Sequence, residues 1–368
     1  MNGSTEGGLK TVANSAELVA GMSRHETHAV ESCPLCGDSR NSLFHQLRHT
    51  LNKVEQTYEL RKCRGCGLVF VSPRLSEAAL TQLYDQEYYF STGWPYDGLA
   101  ARIIEYIQSQ RRRRVERFVP TGRLLDIGSG SGHFVHHMAH HGWEATGIDF
   151  SAAALALARL NGTNGNGNGN GNGNGNGNGN GNGARFLQGS IEDHQFAPGS
   201  LDLITLWQVL EHIGEPRPLF QTSHQILRRG GMLVASVPNI EGLSSRLAGE
   251  RWWGLDVPRH LVHYSPSTLR RGLEQAGFRV MHVNHFSLQY DPYALLHSSL
   301  DWVFTRRHFL SDFAKRNVPG KLSGLEFAYN VATLVVLGPV LAPLCLLATT
   351  TGSCLRQGGF IEVFARRD

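Results

Sequence analysis

The sequence is poor in charge and in cysteine. Only 18% of its 368 residues are charged, the formal net charge is +4, and there are six cysteines. So mild a positive balance does not require a nucleic-acid partner. The first residues contain no apolar stretch behind a basic one, so we expect no secretory signal, a cytoplasmic location and thiols that stay reduced. The apolar share of 41% is enough for one large core and a small module.

Four of the six cysteines form two Cys-x-x-Cys pairs, Cys33 with Cys36 and Cys63 with Cys66, and each pair is followed by glycine. Two such pairs can supply four thiolates to one tetrahedral ion. The spacing therefore predicts a structural zinc ribbon over residues 31–75, which a reducing compartment favours over disulfides or free thiols. Because protein would fill all four positions, the ion would stabilise the module and take no part in catalysis.

A glycine-rich turn follows an apolar run that ends in Asp126. Three glycines stand at alternate positions, Gly128, Gly130 and Gly132, and they allow a tight turn and close approach of a ligand to the backbone. A second apolar run ends in Asp149 about 20 residues later, where a carboxylate can accept two hydrogen bonds from a ribose diol. These features predict a nucleotide-binding α/β domain.

Strand and helix signals alternate through the rest of the core. Apolar segments typical of further strands occur at 145–148, 184–187, 201–206, 232–237, 278–286 and 360–365. We predict an α/β, Rossmann-like fold with a seven-stranded, mostly parallel sheet whose last strand is antiparallel. Its ligand would lie at the carboxyl edge of the sheet.

The motif order is similar to that of the class I S-adenosylmethionine-dependent methyltransferases over roughly residues 100–290. The resemblance rests on the Asp-x-Gly-x-Gly-x-Gly run at 126–132, on Leu-x-x-Gly-Gly at 227–231 before the fifth strand, and on Val-Pro-Asn at 237–239 after it. It implies S-adenosylmethionine as cofactor and these binding residues: Asp126, Gly128, Gly130, Gly132, Asp149, Phe150, Ile191, Glu192 and Trp207.

The same resemblance implies where parts of the cofactor would lie. The three glycines would approach the methionine and ribose, with Asp126 near the amino group. Ile191 would meet the adenine face, and Glu192 or Asp193 its amino group. The segment after the fourth strand would face the methionine end or the acceptor: Trp207, Gln208, Glu211 and His212.

Three histidines are candidate catalytic residues: His212, His260 and His263. Displacement from a sulfonium needs no protonation of the leaving group, so alignment and one base suffice. Three roles remain open, namely acid/base catalysis, structural hydrogen bonding, and a divalent cation held by Glu211, His212 and one of the other two histidines. Some members of the resembled family with a Glu-His pair here bind metal, but the glutamate often found three positions earlier is Gln208 in this chain.

The predicted organisation has six parts. They are a flexible tail at 1–30, the ribbon at 31–75, linking or lid helices at 76–118, the cofactor-binding core at 119–290 with an Asn-Gly loop at 161–183, a helical apolar insertion at 291–358, and the last strand at 359–368. Two polar clusters, Arg111–Arg114 and five histidines within 133–141, are assigned to solvated helix faces.

Residues 327–355 contain no charge, and a run of that length invites a transmembrane prediction. The strands predicted at 278–286 and 360–365 must lie in one sheet, and a single crossing would separate them. Pro339 and Pro343 interrupt the run. We therefore predict two short helices that contact a membrane surface or cover the substrate pocket, with a true span as the third alternative.

The sequence predicts a methyltransferase that acts on oxygen or carbon of a small-molecule or lipid-linked acceptor. The competing interpretations are an RNA methyltransferase with a zinc-ribbon module, a non-catalytic ribbon scaffold with a relic cofactor fold, and a nicotinamide-dependent reductase. Modest charge and the apolar C-terminal run disfavour RNA. Intact Asp126 and Asp149 disfavour the scaffold. The acceptor and the oligomeric state are left open.

Overall fold

The computed structural model describes residues 27–51, 54–76, 79–80, 98–163, 183–314 and 322–368. Most of the predicted tail, most of the Asn-Gly loop and residues 81–97 of the predicted linking segment lie outside the described residues.

Thirteen strands occur in the described part of the chain. They are β1 (Thr27–His28), β2 (Asn41–Leu51), β3 (Val54–Cys63), β4 (Val69–Val71), β5 (Arg74–Leu75), β6 (Arg123–Ile127), β7 (Glu144–Asp149), β8 (Arg185–Gln188), β9 (Leu201–Trp207), β10 (Leu227–Pro238), β11 (Val262–His263), β12 (Phe278–Asn284) and β13 (Phe360–Arg367).

Nine α-helices connect or follow these strands within the same described ranges. They are α1 (Gly98–Glu116), α2 (His133–His140), α3 (Ala152–Thr163), α4 (Pro216–Ile226), α5 (Leu243–Ala248), α6 (Pro266–Gln275), α7 (Asp291–Leu300), α8 (Phe309–Ala314) and α9 (Gly324–Cys354). Ser265 caps α6, as its hydroxyl accepts a hydrogen bond from the Thr268 amide and Pro266 occupies the first turn.

The central sheet has seven strands in the order β12-β13-β10-β9-β6-β7-β8. Strands β6 to β10 pair in parallel, and β13 runs antiparallel between β10 and β12. The predicted α/β class and the antiparallel last strand are confirmed. Residues of β6 and β9 are buried almost throughout, because helices cover both faces of a parallel sheet.

The N-terminal module shares a sheet with the core. The second sheet has the order β11-β4-β3-β2, so a strand from residues 262–263 completes the sheet of the cysteine-bearing segment. The Val71 amide also donates to the Leu261 carbonyl at 3.0 Å. The module is thereby fixed to the loop that precedes α6 and carries two of the candidate histidines.

The prediction of two short helices within 327–355 is wrong, because α9 is one continuous helix with Pro339 and Pro343 inside it. Both prolines are exposed. The packed stripe lies on another face of α9 and continues past Pro339: Val331, Leu334, Leu337 and Leu341 pack against the buried cluster of Leu300, Phe304 and Phe309. Since α7 also packs along α9, tertiary contacts offset the backbone hydrogen bonds that the prolines remove.

The prediction that the α2 histidines form a solvated face is also wrong in part. His136 and His137 are buried. The Nε2 atom of His136 is hydrogen-bonded to the Ala158 carbonyl at 2.7 Å, and His137 Nδ1 lies 3.0 Å from a carboxylate oxygen of Glu105. Both imidazole rings can be buried because the Ala158 carbonyl and the Glu105 carboxylate provide partners for their ring nitrogens.

Candidate active site

The glycine loop joins the carboxyl ends of β6 and β7. The amides of Gly128 and Ser129 donate to the Ile148 carbonyl at 2.8 and 2.9 Å. The Gly130 amide donates to a carboxylate oxygen of Asp149 at 2.9 Å. Gly128, Gly130 and Gly132 all have positive φ, between +54° and +74°, where residues with a Cβ are strained. The loop therefore depends on glycine for its shape.

The loop has one glycine that borders open space. A Cβ at Gly132 would lie 2.7 Å from the Phe186 ring, and one at Gly128 would lie 2.5 Å from Val209. A Cβ at Gly130 would meet nothing within 4 Å. The backbone at Gly130 is thus accessible to a ligand, as the cradle of a cofactor requires.

Asp149 ends β7 beside this open position and is 6% exposed. Its oxygens accept hydrogen bonds from the amides of Gly130 and Ser151, both at 2.9 Å. Burial raises its pKa, and these two bonds act in the opposite direction. Each carboxylate oxygen can accept a further bond, so the residue fits a ribose diol. The neighbouring Phe150 is 74% exposed and leaves its ring available to a ligand.

Asp126, near the end of β6, is also buried. The Thr205 hydroxyl donates to it at 2.6 Å. Burial raises the pKa of Asp126 to about 7, against the effect of the Thr205 bond and the nearby Arg111 guanidinium. An ammonium group beside Asp126 would favour its charged form.

Arg111 is buried, so the prediction that Arg111–Arg114 forms a solvated face is wrong for its first member. The guanidinium lies 4.6 Å from the centre of the Trp207 ring and donates to Gln289 Oε1 at 3.0 Å. A signal was present in the sequence, because Arg111 stands four residues before the buried Val115 on the same face of α1. Arg111 therefore packs over Trp207, next to the candidate site.

The predicted adenine-binding segment has one buried apolar residue and two exposed acids. Ile191 is 2% exposed and lies in the main hydrophobic cluster, whereas Glu192 is exposed. The Asp193 carboxylate accepts from the Ser190 amide at 2.7 Å. Both acids are exposed, but Asp193 is engaged in its own turn, and Glu192 makes no comparable bond to another described residue.

Glu211, His212 and His260 come together beyond the end of β9. One ligand atom from each lies within 4.8 Å of the other two, and the two imidazole rings are 4.7 Å apart. The sequence left His260 and His263 as alternatives for the third position. The structure favours His260, since the ring of His263 lies 6.3 Å from that of His260 and outside this group.

The environment of this group keeps both imidazoles neutral. Burial lowers the pKa of His212 to about 3, and it also lowers that of His260. Their Nδ1 atoms face the carbonyls of Arg259 at 3.1 Å and Gly254 at 2.8 Å. A carbonyl can only accept, so Nδ1 carries the proton and Nε2 has the lone pair.

Glu211 is 1% exposed, and neither carboxylate oxygen has a hydrogen-bond partner in another described residue. Burial raises its pKa to about 8. A buried carboxyl group without donors is unfavourable on its own. Together with two imidazole lone pairs, it forms a donor set that suits a divalent cation.

The four cysteines of the ribbon also come together. The Sγ atoms of Cys33 and Cys66 are 3.5 Å apart, as are those of Cys36 and Cys63. All four sulfurs lie within 4.8 Å of one another. Zn–S bonds of about 2.3 Å in a tetrahedron place sulfurs about 3.8 Å apart, so the arrangement fits one zinc ion.

The strand order, the glycine loop and the carboxylate at the end of β7 are those of a class I S-adenosylmethionine-dependent methyltransferase. A methyltransferase-domain family model matches residues 99–283, half of the chain, and the chain belongs to this family.

Relatives with named functions include ubiquinone biosynthesis O-methyltransferases. The protein of this name from Pectobacterium carotovorum is 27% identical over 177 residues, which cover 46% of this chain and 67% of the relative. That from Cronobacter sakazakii is 31% identical over 119 residues, which cover 32% of this chain and 42% of the relative. The chain therefore spans about two thirds of the first protein and less than half of the second.

Solved structures similar to this chain include two methyltransferases. Phosphoethanolamine N-methyltransferase 2 of Haemonchus contortus, in complex with phosphomonomethylethanolamine and S-adenosylhomocysteine, has a TM-score of 0.46 at 17% identity, covering 78% of this chain and 58% of its own. Geranyl diphosphate methyltransferase with S-adenosylmethionine has a TM-score of 0.41 at 15% identity, and the match covers 75% of this chain and 93% of that protein.

Gly130→Ala is expected to weaken S-adenosylmethionine binding on the order of tenfold while lowering stability by only about 1 kcal/mol. The added methyl group meets no protein atom and occupies the open side of the loop. Titration calorimetry and thermal unfolding measure the two effects.

Gly142→Ala is the matched control, because Gly142 has φ +86° and open space around it but follows α2, away from the loop. It should show similar strain and normal binding. Equal affinities of the two variants would show that Gly130 does not border the cofactor.

Proposed function

We propose that this methyltransferase transfers a methyl group to a hydroxyl oxygen of a small, lipid-linked acceptor at a membrane surface. The observation that carries the proposal is α9, an apolar helix left largely uncovered beside the core. Among the described residues, it is the one helix long and apolar enough to cross a membrane. Its most apolar 18-residue window has a mean hydropathy of 2.4, and only 11% of that window is buried.

The attachment of α9 favours contact with the membrane surface over a span. Helix α7 packs along α9, and the Asp291 carboxylate at the start of α7 accepts from the Phe360 amide of β13 at 3.0 Å. Both helices are therefore held to one sheet. Exposed Val335, Val336 and Leu347, each about two thirds exposed, would enter the interfacial region while the core stays in water.

An apolar cavity of about 310 Å³ lies between α5, α7 and α9. It is lined by Leu247, Ala248, Leu295, Ser299, Trp302, Leu341, Leu344, Cys345 and Ala348. Just before the first turn of α7, the Tyr290 hydroxyl lies 3.3 Å from the Arg111 guanidinium above Trp207. One helix thus connects the cofactor edge with an apolar cavity, which supports an acceptor with a polar head and an apolar tail.

When bound, S-adenosylmethionine supplies an electrophilic methyl group. The residues of this chain would orient the cofactor. The Gly130 loop and Asp149 would hold its ribose, and Asp126 would hold its amino group. The adenine would lie against Phe150, Ile191 and Glu192. Trp207 and Arg111 close the methionine end and exclude water. The donor set of Glu211, His212 and His260 is proposed to hold a divalent cation that lowers the pKa of the acceptor hydroxyl.

The acceptor class is tested with radiolabelled S-adenosylmethionine and total lipid extract of the native cell as the acceptor source. Label should appear in the organic phase and disappear when the extract is treated to acetylate hydroxyl groups. Label confined to water-soluble products would contradict the lipid link. Label in added RNA, with binding that falls steeply with salt, would favour the RNA alternative.

His260→Gln and Glu211→Gln are each expected to lower the transfer rate about 100-fold and to abolish its stimulation by added Mg²⁺, Mn²⁺ or Zn²⁺. His263→Gln is the comparison, since His263 lies outside the group. Initial rates with and without chelator measure the effect, and thermal unfolding checks each fold. A rate that falls only in His263→Gln would favour that residue as a general base and contradict the cation.

The combined variant Val335→Asp, Val336→Asp and Leu347→Asp is expected to abolish flotation with vesicles of phosphatidylcholine and phosphatidylglycerol, because three charges on the exposed face oppose insertion. Met281→Glu, an exposed apolar position on β12, is the control and should float. Flotation that is equal for both would exclude α9 as the contact surface.

A further inference from the structure

We propose a further transition-metal site, separate from the ribbon and from the Glu211 group, in which His297, Asp301 and His308 bind an ion of the Zn²⁺ class. The site lies where α7 ends and the loop toward α8 begins. One ligand atom from each of the three residues lies within 4.8 Å of the other two. The ion would fasten the helical insertion that carries α9.

His297 is the residue that most requires a partner. Its side chain is 0% exposed, and neither ring nitrogen has a hydrogen-bond partner among the described residues. Its Nδ1 atom lies 3.5 Å from an Asp301 carboxylate oxygen, and its ring centre is 5.4 Å from that of His308. A buried imidazole without partners is unfavourable, and coordination of an ion would satisfy it.

Asp301 is already oriented by the backbone. Its two oxygens accept from the His308 amide at 3.1 and 3.2 Å, and its side chain is 3% exposed. His308 has φ +62°, so the chain turns back there toward the end of α7. Hydrogen bonds of this kind, from a backbone amide to a carboxylate, commonly orient carboxylates that bind metal ions.

The neighbouring charges favour one class of ion. Arg251 donates to the Asp301 backbone carbonyl and lies 4.6 Å from the Trp302 ring centre, and Arg307 is also nearby. These cations weaken purely electrostatic binding of Ca²⁺ or Mg²⁺, which depends on several carboxylates. Zn²⁺ binds strongly to imidazole nitrogen and needs only one carboxylate.

A small cavity of about 30 Å³ adjoins the site and is bordered by Asp301 and His308. That volume has room for one or two waters, which would complete a tetrahedral or five-coordinate shell. It also gives the ion a path to solvent beside Arg48 and Arg251.

The position of the site indicates what the ion would do. The loop it closes also contacts α9, because the Thr305 amide donates to Asn330 Oδ1 at 3.0 Å and Asn330 Nδ2 donates to the Thr305 hydroxyl at 2.9 Å. Cross-linking the end of α7 to this loop therefore fixes the base of α9 against the core.

Zinc content of the full chain tests the proposal. The protein is equilibrated with Zn²⁺, passed over chelating resin, and analysed by inductively coupled plasma mass spectrometry. Wild type should hold one more zinc per chain than His308→Asn and Asp301→Asn. Asparagine tolerates positive φ, so His308→Asn keeps the turn, and Asp301→Asn keeps an acceptor for the His308 amide. His282→Asn, an exposed histidine on β12, is the control and should retain all zinc.

Hydrogen exchange gives a second readout that does not depend on catalysis. Added Zn²⁺ should slow exchange of the amides of residues 301–308 at least tenfold in wild type and leave them unchanged in His308→Asn. Equal zinc content in wild type and both ligand variants, or equal exchange with and without Zn²⁺, would overturn the proposal. The ribbon and the Glu211 group contribute equally to all the variants, so the difference reports this site alone.

Discussion

Asp149→Ala is expected to weaken S-adenosylmethionine binding about 100-fold or more. The methyltransferase resemblance implies that this carboxylate accepts hydrogen bonds from both ribose hydroxyls, and hydrogen bonds to a charged group contribute about 1.5–3 kcal/mol each. Two such bonds correspond to at least about 3 kcal/mol, and every 1.4 kcal/mol is tenfold in affinity. The substitution also removes the acceptors of the Gly130 and Ser151 amides, so the glycine loop loses its link to β7. Titration calorimetry measures the change.

Asp149→Asn separates these two effects. Asparagine keeps one oxygen acceptor and the shape of the side chain, so the affinity should fall to an intermediate value. Glu144→Ala is the matched control, because Glu144 is an exposed acid at the opposite end of the same strand, and it should bind normally. Binding by Asp149→Ala within threefold of wild type would place the ribose elsewhere.

For the zinc ribbon that the sequence predicts, Cys36→Ser is expected to release the ion and to destabilise the protein by several kcal/mol, well beyond the about 1 kcal/mol typical of point substitutions. Three thiolates bind zinc far less tightly than four, and metal binding and folding of such modules are coupled. Zinc content and thermal unfolding measure both changes. Cys354→Ser, which changes an exposed cysteine at the end of α9, should change neither.

The same substitution should also lower methyl transfer, although the cysteines lie outside the cofactor cleft. The ribbon sheet ends in β11, the Val71 amide binds the Leu261 carbonyl, and the Leu261 amide donates to the Glu211 carbonyl at 2.7 Å. Loss of the ribbon therefore loosens the group that contains Glu211 and His260. A Cys36→Ser protein that lacks zinc but unfolds at the wild-type temperature would show that the ion is not structural.

The elements that sequence reasoning located well are those in which local spacing dictates local geometry. Each of these elements shapes the backbone within a few residues of itself. They are the run from Asp126 to Gly132, the acid Asp149, and the capping pair Ser265 and Pro266. Predicted segments of four to nine residues between helical signals likewise placed the strands of the central sheet. The helix break at Pro339 was wrong because packing along α7 outweighed a local preference.

The rest of the site depends on contacts between segments distant in the chain. The choice of His260 over His263 beside Glu211, the burial of Arg111 above Trp207, and the pairing of β11 with the ribbon all required the topology. His297 and Asp301 are four residues apart and meet by local spacing, whereas His308 joins them only through a turn that no spacing rule describes.

The sequence by itself determined the class of fold, the cofactor and the pairing of four cysteines into one module, because these follow from periodicity and from short motifs whose geometry is local. Only the tertiary structure decided which distant side chains share a site and which apolar surface of α9 remains uncovered. Those outcomes depend on how helices and sheets pack, and packing is a property of the whole chain.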